Sequence, residues 1–267
     1  KGIVEAREAG RLLREAGIEI DAVYTSMLRR AIRTSCLMLS ALDECWVPMH
    51  KDPLLNEQHS GILCGQNKKT LAEQYGADEV MRWRRSYDYA PPPLASDGLR
   101  RVCVNDARYL RAQTVVPRTE SLKDCYVRVK HMWQQHLQPA LERGENVLVV
   151  SHGNSLRALV KVLDSVSDSD VFHIDIPTAC PVVYDFDERL RPASTSSVWA
   201  RSAVPRHGRF LMDEERVRLA QQAMREQVLS DISISTSAEG TLVQPALIAE
   251  AAMSSEVCIG GETFNVR

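Results

Sequence analysis

Residues 147–163 read VLVVSHGNSLRALVKVL, and this stretch leaves the chain little freedom in how to fold. Val147 to Val150 is a short apolar run rich in β-branched residues, the pattern of a strand buried on both faces. Helical spacing follows at once, with Leu156, Leu159, Val160 and Leu163 on one face. Ser151-His152-Gly153-Asn154-Ser155 is left to make the junction. A buried strand that runs straight into a helix belongs to a parallel sheet covered by helices. In such sheets ligands collect at the carboxyl ends of the strands, which is where His152 stands.

The rest of the chain repeats this alternation. Ile3, Ala6, Ala9, Leu12, Leu13 and Ala16 keep helical spacing, and Gly17 is placed to stop that helix. Ile20–Thr25 (IDAVYT) predicts a strand, and Ser26 is placed to cap a helix running to about Leu42. A short strand is expected at Trp46–His50, a loop over 52–66, and helices near 67–75 and 78–87, the second ended by Pro91-Pro92-Pro93. Residues 95–118 read as an excursion or lid, and Glu120 to about Leu141 as a long amphipathic helix. Cys180–Phe186 (CPVVYDF) predicts a final strand turning at Asp187-Glu188, and a helix fits 212–227. The expected fold is α/β, a three-layer sandwich with a mostly parallel central sheet flanked by helices, over residues 1–228. Residues 229–267 are rich in Ser, Ala and Gly with weak periodicity, and a poorly ordered tail is expected there.

Composition narrows the function classes. A formal charge of −2 disfavours a broad nucleic-acid footprint, so a basic site has to be a local gathering of Arg and Lys. No apolar run is long enough to cross a bilayer, so no membrane partner is expected. The seven cysteines (36, 45, 64, 103, 125, 180 and 258) are scattered and form no CxxC pair. Reduced thiols and a cytoplasmic location are expected, and a Cys/His metal site is not. The chain opens KGIVEAREAG, with no Met and no signal-peptide pattern.

Several residues are candidates for chemistry. At the His152-Gly153-Asn154 junction, backbone N–H groups and the positive helix end favour an anion, and Gly153 lets the backbone approach it. A histidine beside that anion is expected to be protonated and to donate to a phosphoryl oxygen. The alternative is a histidine serving as a helix cap. TSMLRRAIRT (residues 25–34) has the same strand-to-helix layout, and Arg30 could reach the same anion; Arg29 and Arg33 read as a solvated face. Arg84 and Arg85 offer two guanidinium forks for a carboxylate or phosphate, though adjacent arginines on a helix commonly mean a wet surface; Lys68 is a weaker signal. Glu57, in LNEQHSG, could act as general acid and base with a raised pKa, against the plainer reading of a loop carboxylate. His59 beside it reads as structural.

Taken in order, TSMLRRAIRT, LNEQHSGILCGQNK, WRRSYDYAPPP, TESLKD, VLVVSHGNSLRALVK and IPTACPVVYDF resemble the cofactor-dependent phosphoglycerate mutases of the histidine phosphatase superfamily. The resemblance runs from residue 1 to roughly 192, and faintly through 212–227. It implies interconversion of 3-phosphoglycerate and 2-phosphoglycerate in glycolysis and gluconeogenesis, through a phosphohistidine primed by 2,3-bisphosphoglycerate and without a metal. By motif match, Glu57 is the implied proton donor and acceptor, and His152 the group that stabilises the phosphoryl in flight. Arg30, Gly153 and Asn154 are implied to hold that phosphoryl group. Gln58, His59, Ser60, Lys68, Arg84 and Arg85 are implied to hold the rest of a small phosphorylated three-carbon acid. The resemblance also implies dimers or tetramers. A histidine-type phosphatase, a bisphosphoglycerate mutase and a pseudoenzyme binding phosphorylated ligands are the alternatives.

The family's nucleophile lies in an Arg-His-Gly motif closing the first central strand, and that motif is expected about thirty residues before the point where this chain opens. The expectation is therefore of a chain lacking its first central strand and its nucleophilic histidine, a truncated reading of a longer gene or a decayed copy. Arg206-His207-Gly208 does not replace it, because Pro205 is unfavourable in a central strand and RFLMD follows in place of the family's sequence. Gln58 and Ser60 stand where the family normally has Arg and Tyr, removing a cation and a phenolic donor, and Ala179 stands for a usual Gly.

Overall fold

The computed structural model describes residues 2–95, 106–193 and 205–233, all within one compact unit, Lys1–Thr236. The tail expected from 229 falls mostly outside them. The first helix, α1, spans Gly2–Glu15 and stops at Gly17, whose φ of +64° is the left-handed turn a helix end favours. Strand β1 (Ala22–Thr25) leads to α2 (Arg29–Leu42), and β2 (Met49–Lys51) follows. Two single 3₁₀ turns, Pro53–Leu55 and Gly61–Leu63, bracket the loop that carries Glu57. Next come α3 (Lys68–Tyr75), α4 (Ala77–Arg85), the short α5 (Ala107–Arg111) and α6 (Leu122–Met132). Ser121 and Asp124 close α6 with a reciprocal capping box. The helix continues through a π turn at Trp133–Leu137 into α7 (Gln138–Glu142), so the long helix expected from Glu120 to Leu141 is present with one bulge. Strand β3 (Val147–Val150) and α8 (Gly153–Leu163) are the opening stretch, and α9 spans Glu214–Ser233.

The central sheet is parallel, in the order β2-β1-β3, with Ala22 opposite Val147 and Val23 opposite Met49. Because side chains alternate along a strand, β1 feeds two cores. Ala22 and Tyr24 enter one with Leu122, Cys125, Val129 and Met132 of α6 and Ala158, Leu159 and Val160 of α8. Val23 enters the other with Ala9 and Leu13 of α1 and Met38, Leu39 and Leu42 of α2. Helices therefore cover both faces, the three-layer arrangement expected. Helices α1 and α2 approach closely at Gly10, where a Cβ would stand 2.5 Å from the Met38 carbonyl oxygen.

The expected strand at Cys180–Phe186 is shorter and differently placed. Only Val182–Val183 (β4) forms a strand, pairing antiparallel with Arg209–Phe210 (β5) in a separate ribbon. Pro177 and Pro181 flank the segment's start and lack the N–H that a ladder needs. The turn at Asp187 is present, with the Leu190 N–H donating to the Asp187 carbonyl at 2.8 Å.

Candidate active site

The carboxyl ends of the three parallel strands converge. Ser26 follows β1, the Glu57 loop follows β2, and His152 follows β3. Ser26 is not the helix cap the sequence suggests; α2 begins at Arg29 with Leu28 as its capping residue. The buried Ser26 hydroxyl instead lies 2.7 Å from His152 Nε2 and accepts the Leu28 N–H at 3.1 Å. Arg30 Nε donates to His152 Nδ1 at 3.0 Å. With Nδ1 accepting, the ring proton sits on Nε2, which donates to Ser26.

His152 holds the N-cap position of α8, its carbonyl accepting the Leu156 N–H at 2.8 Å, but its buried side chain makes no cap bond and is engaged with Ser26 and Arg30 instead. The imidazole is not protonated in the free chain. Burial pushes its pKa down to about 3, and the charges of Arg30 and Arg128 push the same way. The expectation of an imidazolium assumed an anion beside it, and without one the neighbouring cations repel a further positive charge.

At the start of α8 the Asn154 N–H donates to Glu57 Oε1 at 3.2 Å, so in the free chain the helix N-terminus holds the Glu57 carboxyl. The Gln58 N–H reaches the same oxygen at 2.9 Å. Burial raises the Glu57 pKa against these bonds and against the Arg30 and Arg128 charges. A carboxyl raised in this way suits proton transfer near neutral pH. A Cβ at exposed Gly153 would meet only Glu57 Oε2, at 3.9 Å, so the space above the junction is open. Arg30 is exposed, and among the described residues its guanidinium meets no carboxylate.

Asn56 locks the Glu57 loop to both neighbouring elements. Its Oδ1 accepts the Met27 N–H at 2.9 Å, and its carbonyl accepts the Ser155 hydroxyl at 2.5 Å. Ser151 donates to the Leu55 carbonyl at 2.7 Å. Further out, Arg157, buried on α8, donates through Nη1 to Asn154 Oδ1 at 2.9 Å and orients that carboxamide. Its pKa is lowered to about 10 by burial and by the Arg85 charge.

Arg30, Glu57, His152, Gly153 and Asn154 are thus brought together. The other candidates are placed differently. Gln58 turns inward, its Nε2 donating to the Glu120 carbonyl at 2.7 Å while its Oε1 is buried without a hydrogen-bond partner. The His59 N–H is held by Glu120 Oε2 at 2.8 Å, and both ring nitrogens are buried without a partner. Ser60 lies 3.4 Å from Cys64 Sγ. Arg84 and Arg85 end α4 and, one residue apart on a helix, point about 100° apart. Arg84 is exposed, while Arg85 pairs with the buried Asp175 at 3.0 Å. Lys68 opens α3, and its side chain lies outside the described residues. His207 is held by Asp164 at 3.0 Å. Asp164 closes the far end of α8, roughly 18 Å along the helix from His152.

Sequence reasoning missed Ser26 as a partner of His152, and it missed Asn56, Glu120, Arg128 and Arg157. Glu120 lies within TESLKD, a motif already singled out, and the pairing Arg128 is eight residues further along the same segment.

Comparison with known proteins identifies the family. The chain belongs to the histidine phosphatase superfamily (branch 1), whose family model matches residues 1–195. It is 43% identical over 233 residues to the 2,3-bisphosphoglycerate-dependent phosphoglycerate mutase of a Nocardioides species, covering 85% of this chain and 87% of that protein. Two solved structures share the fold. One, mycobacterial hydrolase 1, has a TM-score of 0.53 at 19% identity, covering 76% of this chain and 86% of that one. A mycobacterial glucosyl-3-phosphoglycerate phosphatase with VO3 has 0.52 at 18% identity, covering 72% and 82%.

Proposed function

We propose that this protein is a phosphoglycerate mutase that interconverts 3-phosphoglycerate and 2-phosphoglycerate, a step of glycolysis and gluconeogenesis, and is primed by 2,3-bisphosphoglycerate. The observation that carries the reading is the cluster itself: a part-buried Glu57 carboxyl of raised pKa beside Arg30 and His152 at the carboxyl ends of a parallel sheet. The mutase relative agrees with it.

Glu57 takes the proton of the substrate hydroxyl as it gains a phosphoryl group, and returns it in the reverse sense. Arg30 faces the charge that moves between donor and acceptor, and His152, held between Ser26 and Arg30, stands beside it. A phosphoryl dianion opposes the field that keeps His152 neutral, so binding favours the imidazolium, whose Nδ1 then no longer accepts from Arg30 and leaves that guanidinium to the phosphoryl group. Fixed charges of this kind supply the largest share of many rate enhancements. Arg30, Gly153 and Asn154 fit a phosphoryl group of 2,3-bisphosphoglycerate, because Arg30 lacks a carboxylate partner among the described residues and the space over Gly153 is open. That compound supplies, when bound, the phosphoryl group that primes the enzyme. We do not assign the nucleophile to His207, which Asp164 anchors at the far end of α8.

Substrate holding by Lys68, Arg84 and Arg85 belongs to the same proposal, as does a homo-oligomer. Trp46, 76% exposed close to the edge strand β2, supports the latter. A cytoplasmic compartment is supported by the free thiols of Cys36, Cys45, Cys64, Cys125 and Cys180.

The test is a coupled assay with 3-phosphoglycerate and 2,3-bisphosphoglycerate, run on this chain, on its His152→Ala variant, and on this chain joined to the codons upstream of it. Production of 2-phosphoglycerate that needs 2,3-bisphosphoglycerate and His152 supports the reading. Release of inorganic phosphate in place of isomerisation overturns it in favour of a phosphatase. Binding without turnover in all three overturns it in favour of a pseudoenzyme.

A further inference from the structure

Glu57 does not hold its own position. Its loop is gripped by a buried ion pair that no substrate-binding motif includes. Arg128, on α6, uses all three guanidinium nitrogens. Nε and Nη2 meet the two carboxylate oxygens of Glu120 at 2.8 and 3.0 Å, and Nη1 donates to the Leu54 carbonyl at 2.7 Å. The side chains are 17% and 7% exposed, so the pair is shielded from water. Glu120 passes the grip on. Its N–H donates to the His59 carbonyl at 2.8 Å, its Oε2 accepts the His59 N–H at 2.8 Å, and its carbonyl accepts Gln58 Nε2 at 2.7 Å. The loop is thereby tied before Glu57, at Leu54, and after it, at Gln58 and His59.

We propose that Arg128 is the positioning residue of Glu57, fixing the acid–base loop directly at Leu54 and through Glu120 at Gln58 and His59, and adding positive charge to the surroundings of Glu57 and His152. This rests on Glu57 having the role proposed above. Its charge disfavours protonation of both groups, more weakly than that of Arg30. Arg30 faces both groups from α2 with the same sign. Arg157 of α8 and Cys125 of α6 also face Glu57, and the Ser26 hydroxyl faces His152. Glu120 cancels part of the Arg128 charge through its bidentate contact. Lysine could supply the charge but not the fork that reaches two carboxylate oxygens and a carbonyl at once.

The test is an NMR pH titration of the Glu57 carboxyl and the His152 ring, with amide exchange at His59, in the full chain. It compares wild type, Arg128→Met, Arg128→Lys and the surface control Arg143→Met. Arg128→Met is expected to raise both titration midpoints and to speed His59 exchange at least about tenfold. Arg128→Lys is expected to keep the midpoints near wild type while His59 exchange is still accelerated, which separates charge from geometry even if the Met variant does not fold. Unmoved midpoints in a folded Met variant, or unchanged His59 exchange in the Lys variant, overturn the proposal. A mutase assay that fails leaves these readings untouched, so loss of the Glu57 role and loss of the Arg128 role are told apart.

Discussion

Replacing His152 by asparagine removes one titrating ring from a buried site, and its effect on stability can be worked out from the structure. In the native free chain burial, Arg30 and Arg128 hold the imidazole at about 3, against 6.5 for an ordinary histidine. Below pH 6.5 the unfolded chain takes up a proton that the native chain refuses. The native state therefore keeps its full stability above pH 6.5 and loses it progressively as pH falls toward 3. Each unit is worth about 1.36 kcal/mol, so at pH 4 the loss through this one group is about 3.4 kcal/mol. Asparagine does not titrate, and the difference between wild type and His152→Asn should shrink by that amount between pH 7 and pH 4. Urea unfolding followed by tryptophan fluorescence at pH 7, 5.5 and 4 measures it, with other groups cancelling in the difference. If the two proteins lose stability in parallel, His152 titrates as it would in water and the field of Arg30 and Arg128 has been misjudged. Phosphate provides the complementary arm: at pH 6 its binding should draw a proton onto His152, seen as a binding enthalpy that changes with the buffer's ionisation enthalpy.

Other outcomes follow from the same structure. Asp164 accepts from the Tyr184 hydroxyl, the Arg206 N–H and His207 Nδ1, so Asp164→Ala should cost about 3 kcal/mol in urea unfolding by stranding three partners. His207→Ala should leave 3-phosphoglycerate binding unchanged in calorimetry, whereas His152→Ala should weaken it. Gly61 has φ +51° and a Cβ there would stand 2.2 Å from the Pro92 carbonyl oxygen, so Gly61→Ala should destabilise by about 2 kcal/mol or more and lower the melting temperature. Trp46→Glu should shift any oligomer toward monomer in analytical ultracentrifugation with little change in melting temperature, because the side chain is 76% exposed.

Much of the layered fold was legible in the chain because the relevant signals are local. The strand-to-helix switch at 147–163 follows from side-chain spacing alone, and so do α1 with its stop at Gly17, α2 and α6, although Ser26 does not cap α2. The Cys180–Phe186 strand was not, since its apolar pattern is satisfied as well by a two-residue ribbon as by a place in the main sheet. The same division runs through the site. Residue types at strand ends marked Arg30, Glu57 and His152. Their protonation states depend on burial and on the charges of residues distant in sequence, and a sequence carries neither. Gln58 and His59 show this most plainly, for their motif marks them as substrate-facing while Glu120 draws the Gln58 side chain and the His59 backbone inward. By itself the sequence determined the α/β layers and the identity of the cations and the carboxyl at the strand ends, through periodicity and chemistry carried by neighbouring residues. Only the tertiary structure decided that His152 is neutral with its proton on Nε2, that the α8 N-terminus holds Glu57, and that Arg128 and Glu120 grip its loop. Each of these depends on groups brought together across the sheet, where burial and distance set the energies.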